Sequence, residues 1–162
     1  MNRLYLAPAM LAFAIGLASA THAEGGASLP PVDDPATLKE CGACHIPYQP
    51  QMLPARSWRA IMADLGNHFG ENAALPDKSR AEIEAYLVAN AADAPASMAY
   101  GWNFLRGVSP DVTPLRITET SFWKRAHGEI PDAVFSDPRV KLRSNCVACH
   151  GGARQGQFGE EE

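Results

Sequence analysis

Five residues near the C-terminus, Cys146-Val147-Ala148-Cys149-His150, repeat a pattern set earlier at Cys41-Gly42-Ala43-Cys44-His45. Two thiols on one turn with an imidazole directly behind them are the attachment site of a c-type haem: the thiols form thioethers to the porphyrin vinyl groups and the histidine reaches the iron. A zinc site would need both cysteine pairs to converge on one metal, and it gives no reason for a histidine after each pair. A redox dithiol needs only one pair, set in a βαβ pattern that this chain lacks. All four cysteines fall within the two motifs, so none is left for a structural disulfide. The chain is therefore expected to carry two covalent haem c groups, attached through Cys41, Cys44, Cys146 and Cys149.

The late position of the second motif bears on ligation. In small monohaem cytochromes the motif comes first and a methionine downstream supplies the second axial ligand, but here only Gly151 to Glu162 follow, with neither histidine nor methionine. The second haem must take its sixth ligand from upstream or leave that position open. Of five histidines, His22 lies in the leader, leaving His45 and His150 in the motifs and His68 and His127 outside them. Two bis-histidine haems need four. By proximity in sequence, His45 and His68 are assigned to haem one and His150 and His127 to haem two. Met98 is the rival for haem one, whereas Met62 lies on the apolar face of a helix and reads as core packing. The choice has a functional consequence, because methionine ligation raises the iron potential relative to histidine.

The chain opens with Arg3, an apolar run from Leu4 to Ala18 and small residues through Ala23, the layout of a secretory signal peptide over 1–23, cleaved after Ala20 or Ala23. The run is too short for a confident membrane span. Export suits haem attachment, which takes place outside the cytoplasm, and a periplasmic location is expected. The net charge of -4 becomes one unit more negative without Arg3, which argues against nucleic acid as a partner because phosphate binding needs a basic face. What remains, about 140 residues, is one ordinary domain. With frequent proline and few aromatics, the expected fold is mainly α, short helices and long loops wrapped around the two haems.

The composition divides the chain into a flexible lead-in over 24–35, an N-terminal haem-binding half over 36–93, a C-terminal half over 94–154 and an acidic disordered tail over 155–162. A short helix over 36–45 presents the first motif, and Pro47, Pro50 and Pro54 impose an extended connector. Trp58, Ile61, Met62 and Leu65 recur at helical spacing, with Ser57 as N-cap and Gly66 as the stop. Gly66 and Gly70 flank His68 and would let the backbone turn. Further helices are expected over 77–91, at 98–104 and over 118–127, the last placing Trp123 and His127 on one side. The basic stretch Arg139 to Arg143 reads equally as a docking patch and as a solvated face. Trp58, Trp102 and Trp123 read as packing.

Glu40 to His45, Leu53 to Trp58 and Asp64 to Gly70, with Thr118 to Thr120, Phe122-Trp123 and the run from His127 to Cys146, resemble the small bacterial dihaem cytochrome c family over residues 34–151. The resemblance implies a largely helical periplasmic electron-transfer protein with one bis-histidine haem per half, His68 and His127 matching the family's extra histidines. It also implies an oxygen-binding high-spin monohaem cytochrome c, sphaeroides haem protein, as electron acceptor and a membrane b-type cytochrome as reductant. The competing class is a small haem enzyme of peroxidase or nitrogen-oxide reductase type. That reading needs one open iron and a distal acid-base group, for which Glu129 is the candidate.

Overall fold

The computed structural model describes residues 27–159; the leader over 1–23, His22 and the terminal Glu160 to Glu162 lie outside the described residues. Within that span the helices are α1 (Pro35–Glu40), α2 (Ala55–Ala63), α3 (Asp77–Ala89), α4 (Met98–Leu105), α5 (Ser121–Ala126) and α6 (Asp132–Phe135). Single 3-10 turns and loops join them, and among the described residues pairing of β type is limited to two isolated bridges. The fold is mainly α, as expected.

The main core lies where α2 packs on α3. Trp58 and Met62 of α2 meet Ile83 and Leu87 of α3, with Leu53, Leu65 and Ala91 completing the cluster. Each large apolar side chain removed from water in this way contributes roughly 1.5–3 kcal/mol. A second cluster joins Leu29, Met52 and Phe104, with Phe122 and Phe158 packed against it. α4 approaches closely there because of Gly101: a Cβ at that position would lie 2.3 Å from the Ala92 carbonyl oxygen.

The proline-rich connector is not the extended link expected. Pro50 to Met52 form a 3-10 turn, and every residue from Gln49 to Pro54 is buried. Three hydrogen bonds tie it to different parts of the chain, although the buried Oε1 atoms of Gln49 and Gln51 find no partner among the described residues. Trp58 Nε1 donates to the Pro50 carbonyl at 2.8 Å, Gln49 Nε2 to the Ala153 carbonyl at 3.0 Å, and Ala92 N–H to the Leu53 carbonyl at 2.9 Å. Prolines suit this role because their fixed φ leaves less conformational entropy to lose on burial.

Several boundaries move for identifiable reasons. α2 starts at Ala55 and not at Ser57; the Ala55 N–H is satisfied by the Asp93 carboxylate at 2.7 Å, a cap supplied from 38 residues away that local pattern does not reveal. Ser57 instead lies buried inside the helix. The helix expected over 118–127 is split at Thr120, whose hydroxyl donates to the Ile117 carbonyl at 2.7 Å and accepts from Trp123 N–H at 3.2 Å. Threonine thus closes one turn and caps the next. The lead-in is packed from Ala27 onward: Leu29 and Val32 are buried, Leu29 N–H donates to the Gly156 carbonyl at 2.8 Å, and Phe158 N–H donates to the Ala27 carbonyl at 3.0 Å.

Two paired-histidine sites

The first motif follows α1, whose N-cap Asp34 accepts from Thr37 N–H at 2.7 Å and from its hydroxyl at 2.8 Å. Cys41 to Ala43 continue as a 3-10 turn, leaving Cys41 half-buried and Cys44 exposed. Burial, with Glu40 and Asp34 adding to it, pushes the Cys41 thiol above its usual value. The His45 Nδ1 lies 2.6 Å from the Ile46 carbonyl. A carbonyl only accepts, so Nδ1 carries the proton and Nε2 presents its lone pair. The Tyr48 ring stacks on His45 at 4.9 Å, and its hydroxyl donates to the Ser144 carbonyl at 2.8 Å.

His68 lies at the base of a tight two-residue turn. His68 and Glu71 exchange backbone hydrogen bonds at 2.7 and 3.1 Å, while Phe69 at φ 57° and Gly70 at φ 102° form the bend. Two successive positive φ values are the signature of a type I′ turn. The residue that does the turning is therefore Gly70 together with Phe69; Gly66 lies in the preceding 3-10 turn. Arg116 covers the Phe69 ring at 4.1 Å, and a cleft of about 340 Å³ flanks His68 and Phe69. Burial first, then His45 and Arg116, hold His68 below the ordinary imidazole value.

The second motif is also carried on a 3-10 turn, Cys146–Ala148, and His150 N–H donates to the Cys146 carbonyl at 2.8 Å. Burial pushes the Cys146 thiol up. The His150 Nδ1 lies 3.4 Å from the Gly159 carbonyl, with the Phe158 ring edge-on at 5.8 Å. His127 caps the C-terminus of α5. Its Nδ1 donates to the Trp123 carbonyl at 3.0 Å, and the Trp123 indole stacks on it at 4.5 Å. Burial holds His127 below the ordinary value even though the Trp123 carbonyl works the other way.

The fold brings the four histidines together in the two pairs the sequence suggests. The ring centres of His45 and His68 are 6.2 Å apart, and those of His127 and His150 are 6.1 Å apart. These separations lie within the roughly 4.5–7 Å between centres at which aromatic rings neighbour one another. They match two imidazoles sharing one metal atom: bonds of about 2.0–2.1 Å, with about 1.1 Å from nitrogen to ring centre on each side, give about 6.3 Å. The donor set therefore fits an iron in each pair. Met98, by contrast, is 62% exposed, and Met52 and Met62 are buried in the two core clusters. Glu129 is exposed. Among the described residues no three of His, Cys, Asp and Glu gather as a metal-binding group.

In the basic stretch, Arg139 is bound to Asp137 at 2.8 Å. Arg143 pairs with Asp132 at 2.6 Å and lies over the Trp123 and Phe135 rings. Both guanidinium groups thus have partners within the chain. Sequence reasoning missed Tyr48, Gln49 and Phe158. An aromatic three residues beyond the first motif is a weak signal for Tyr48, and the other two act through contacts more than a hundred residues apart or at the far terminus.

Short helices that set two thiol pairs beside two facing imidazole pairs define a c-type cytochrome with two haem sites in one chain. The dihaem cytochrome c family profile matches residues 37–158. This chain belongs to that family. It is similar to the solved diheme cytochrome c from Rhodobacter sphaeroides, at 48% identity with a TM-score of 0.73, over 80% of this chain and 100% of that one. It is also similar to the diheme c-type cytochrome of Shewanella baltica, at 39% identity with a TM-score of 0.62, over 76% of this chain and 85% of that one. No curated protein matches the chain. Membership implies an electron-carrying cytochrome with two covalently bound haem c groups, and the cysteine pairs Cys41/Cys44 and Cys146/Cys149 have the spacing this requires.

Proposed function

We propose that the chain is an exported bis-histidine electron shuttle. Cys41 and Cys44 attach haem one, with His45 and His68 on its iron; Cys146 and Cys149 attach haem two, with His150 and His127 on its iron. The observation that carries this reading is the pairing of the histidine rings at 6.2 and 6.1 Å. Each haem supplies a one-electron iron couple, and the protein orients it and tunes its potential. Carbonyl acceptors on Nδ1 of His45, His127 and His150 fix the tautomer and raise ligand basicity. The lowered values of His68 and His127 keep both imidazoles neutral, as ligation requires. Bis-histidine ligation then gives lower potentials than methionine would.

The leader-like N-terminus supports a periplasmic location. The family resemblance supports a sphaeroides-haem-protein-type monohaem cytochrome c as acceptor and a membrane b-type cytochrome as reductant. Electron paramagnetic resonance of the oxidised holoprotein, with His68→Met and His127→Met variants, tests the ligand assignment. The expected result is low-spin iron throughout, with one signal altered by each substitution. A high-spin component in the unsubstituted protein would overturn the shuttle in favour of an enzyme with an open iron.

A further inference from the structure

The two histidine pairs are alike in separation and unlike in orientation. The ring planes of His45 and His68 lie 17° apart, whereas those of His127 and His150 cross at 87°. Neighbours set both arrangements. His45 is aligned by the Ile46 carbonyl and by the Tyr48 ring, whose plane is within 19° of its own. His127 is aligned by Trp123 twice over. The Trp123 carbonyl accepts a hydrogen bond from Nδ1 at 3.0 Å, and the indole lies against the imidazole with planes 13° apart. The indole is held in turn by Phe135 at 5.6 Å and by the Arg143 guanidinium at 5.6 Å. On the other side of the site, His150 is set by the Gly159 carbonyl and the edge of Phe158.

We infer that Trp123 is a positioning residue that turns His127 across His150, so that the two haem sites are electronically unlike: near-parallel axial imidazoles in the first, crossed in the second. The inference rests on the bis-histidine reading. Its physical basis is the shape of imidazole π density, which stands perpendicular to the ring plane and overlaps one of the two iron d orbitals of π symmetry. Parallel rings raise the same orbital and split the pair; crossed rings raise each orbital once and leave the pair nearly degenerate. In low-spin ferric iron that splitting decides the anisotropy of the magnetic signal. Ligand orientation set by outer partners is one of the means by which a protein tunes a haem.

The test is low-temperature electron paramagnetic resonance of the oxidised holoprotein. Two low-spin signals of equal spin are expected. One is rhombic with three resolved turning points and is altered by His68→Met; the other is a single strongly anisotropic low-field feature and is altered by His127→Met. Trp123→Ala is expected to shift the low-field feature toward the rhombic form or spread it over a range of fields, and Trp123→Phe, which keeps an aromatic face on His127, to retain it. The rhombic signal stays unchanged in both variants and reports that the protein is folded. Two rhombic signals in the unsubstituted protein would overturn the crossed arrangement, whether or not any variant folds. An unshifted low-field feature in Trp123→Ala would overturn the role of Trp123. A high-spin signal is a separate outcome and would overturn the ligand assignment as well.

Discussion

Gly156 lies where the C-terminal segment meets the lead-in, with φ at +80°, and Gly156→Ala should destabilise the protein through two separable costs. The first is backbone conformation, since an L-residue with a side chain pays about 1–2 kcal/mol in the left-handed region. The second is contact. An alanine Cβ would lie 2.0 Å from the Leu29 carbonyl oxygen and 2.9 Å from its carbon, far inside the ~3.5 Å of comfortable approach. Both atoms are backbone, so the two segments must separate. That strains the Leu29 N–H to Gly156 carbonyl bond of 2.8 Å and the Phe158 N–H to Ala27 carbonyl bond of 3.0 Å. At about 0.5–1.5 kcal/mol each, their loss brings the total to about 2–5 kcal/mol. For a domain of this size each kcal/mol lowers the melting temperature by about 3–4 °C, so the expected drop is roughly 6–20 °C. Gly66→Ala is the control: an added Cβ there meets nothing within 4 Å, and the change should be neutral or stabilising by up to about 1 kcal/mol. Circular dichroism melts of the two holoprotein variants decide the matter. If Gly156→Ala melts within about 2 °C of Gly66→Ala, less than 1 kcal/mol on this scale, the close approach is wrong.

Ile83 is fully buried in the α2 and α3 core, so Ile83→Ala should cost about 2–5 kcal/mol, read as a lower midpoint in guanidinium unfolding at unchanged slope. The acid behaviour follows from His68 and His127, both held below the ordinary imidazole value by burial. A folded value below the unfolded one means that the unfolded chain binds the extra proton, so this contribution is complete above about pH 6.5 and is lost as pH falls below it. On the proposed ligand assignment, iron binding would add to the same preference for neutral imidazole. Low-spin ferric spectra should accordingly persist down to about pH 6.5 and convert to high-spin only below it; conversion at higher pH would contradict the neutral, half-buried placement of both rings.

Much of the site is written in local sequence because haem attachment is itself local: the order of Cys, Cys and His on one turn requires nothing from the rest of the fold. Helix faces follow for the same reason, since Trp58, Met62, Ile83 and Leu87 are spaced to share one buried interface. The departures come where a distant group overrides a local preference. Ser57 is a good cap by type, yet Asp93 supplies the acceptor and α2 begins two residues earlier. The prolines of the connector suggest an extended strap, yet Trp58 and Ala92 donate to its carbonyls and its own Gln49 donates to the Ala153 carbonyl, which together draw it into the core. Trp123 and His127 can be read as helical neighbours from their spacing. The crossing angle at His150 cannot, because it depends on where Phe158 and Gly159 return to the fold.

The buried connector also explains how one small domain holds two sites in fixed relation. Tyr48 reaches the Ser144 carbonyl, two residues before Cys146, and Gln49 reaches the Ala153 carbonyl, three residues after His150. These hydrogen bonds run from the stretch just beyond the first motif to both flanks of the second. The lead-in adds a third tie through Leu29 and Gly156, and Arg56 fastens the intervening loop by donating to the Ser109 and Val112 carbonyls. Because the acceptors are backbone carbonyls, they constrain the position of the main chain around the second motif regardless of side-chain identity there. A displacement of the first motif must therefore either break these hydrogen bonds, of which the buried Gln49 to Ala153 bond costs about 1–3 kcal/mol for a group left without a partner, or carry the second motif with it. For a carrier that passes single electrons between two cofactors, that linkage keeps the two attachment motifs in constant relation.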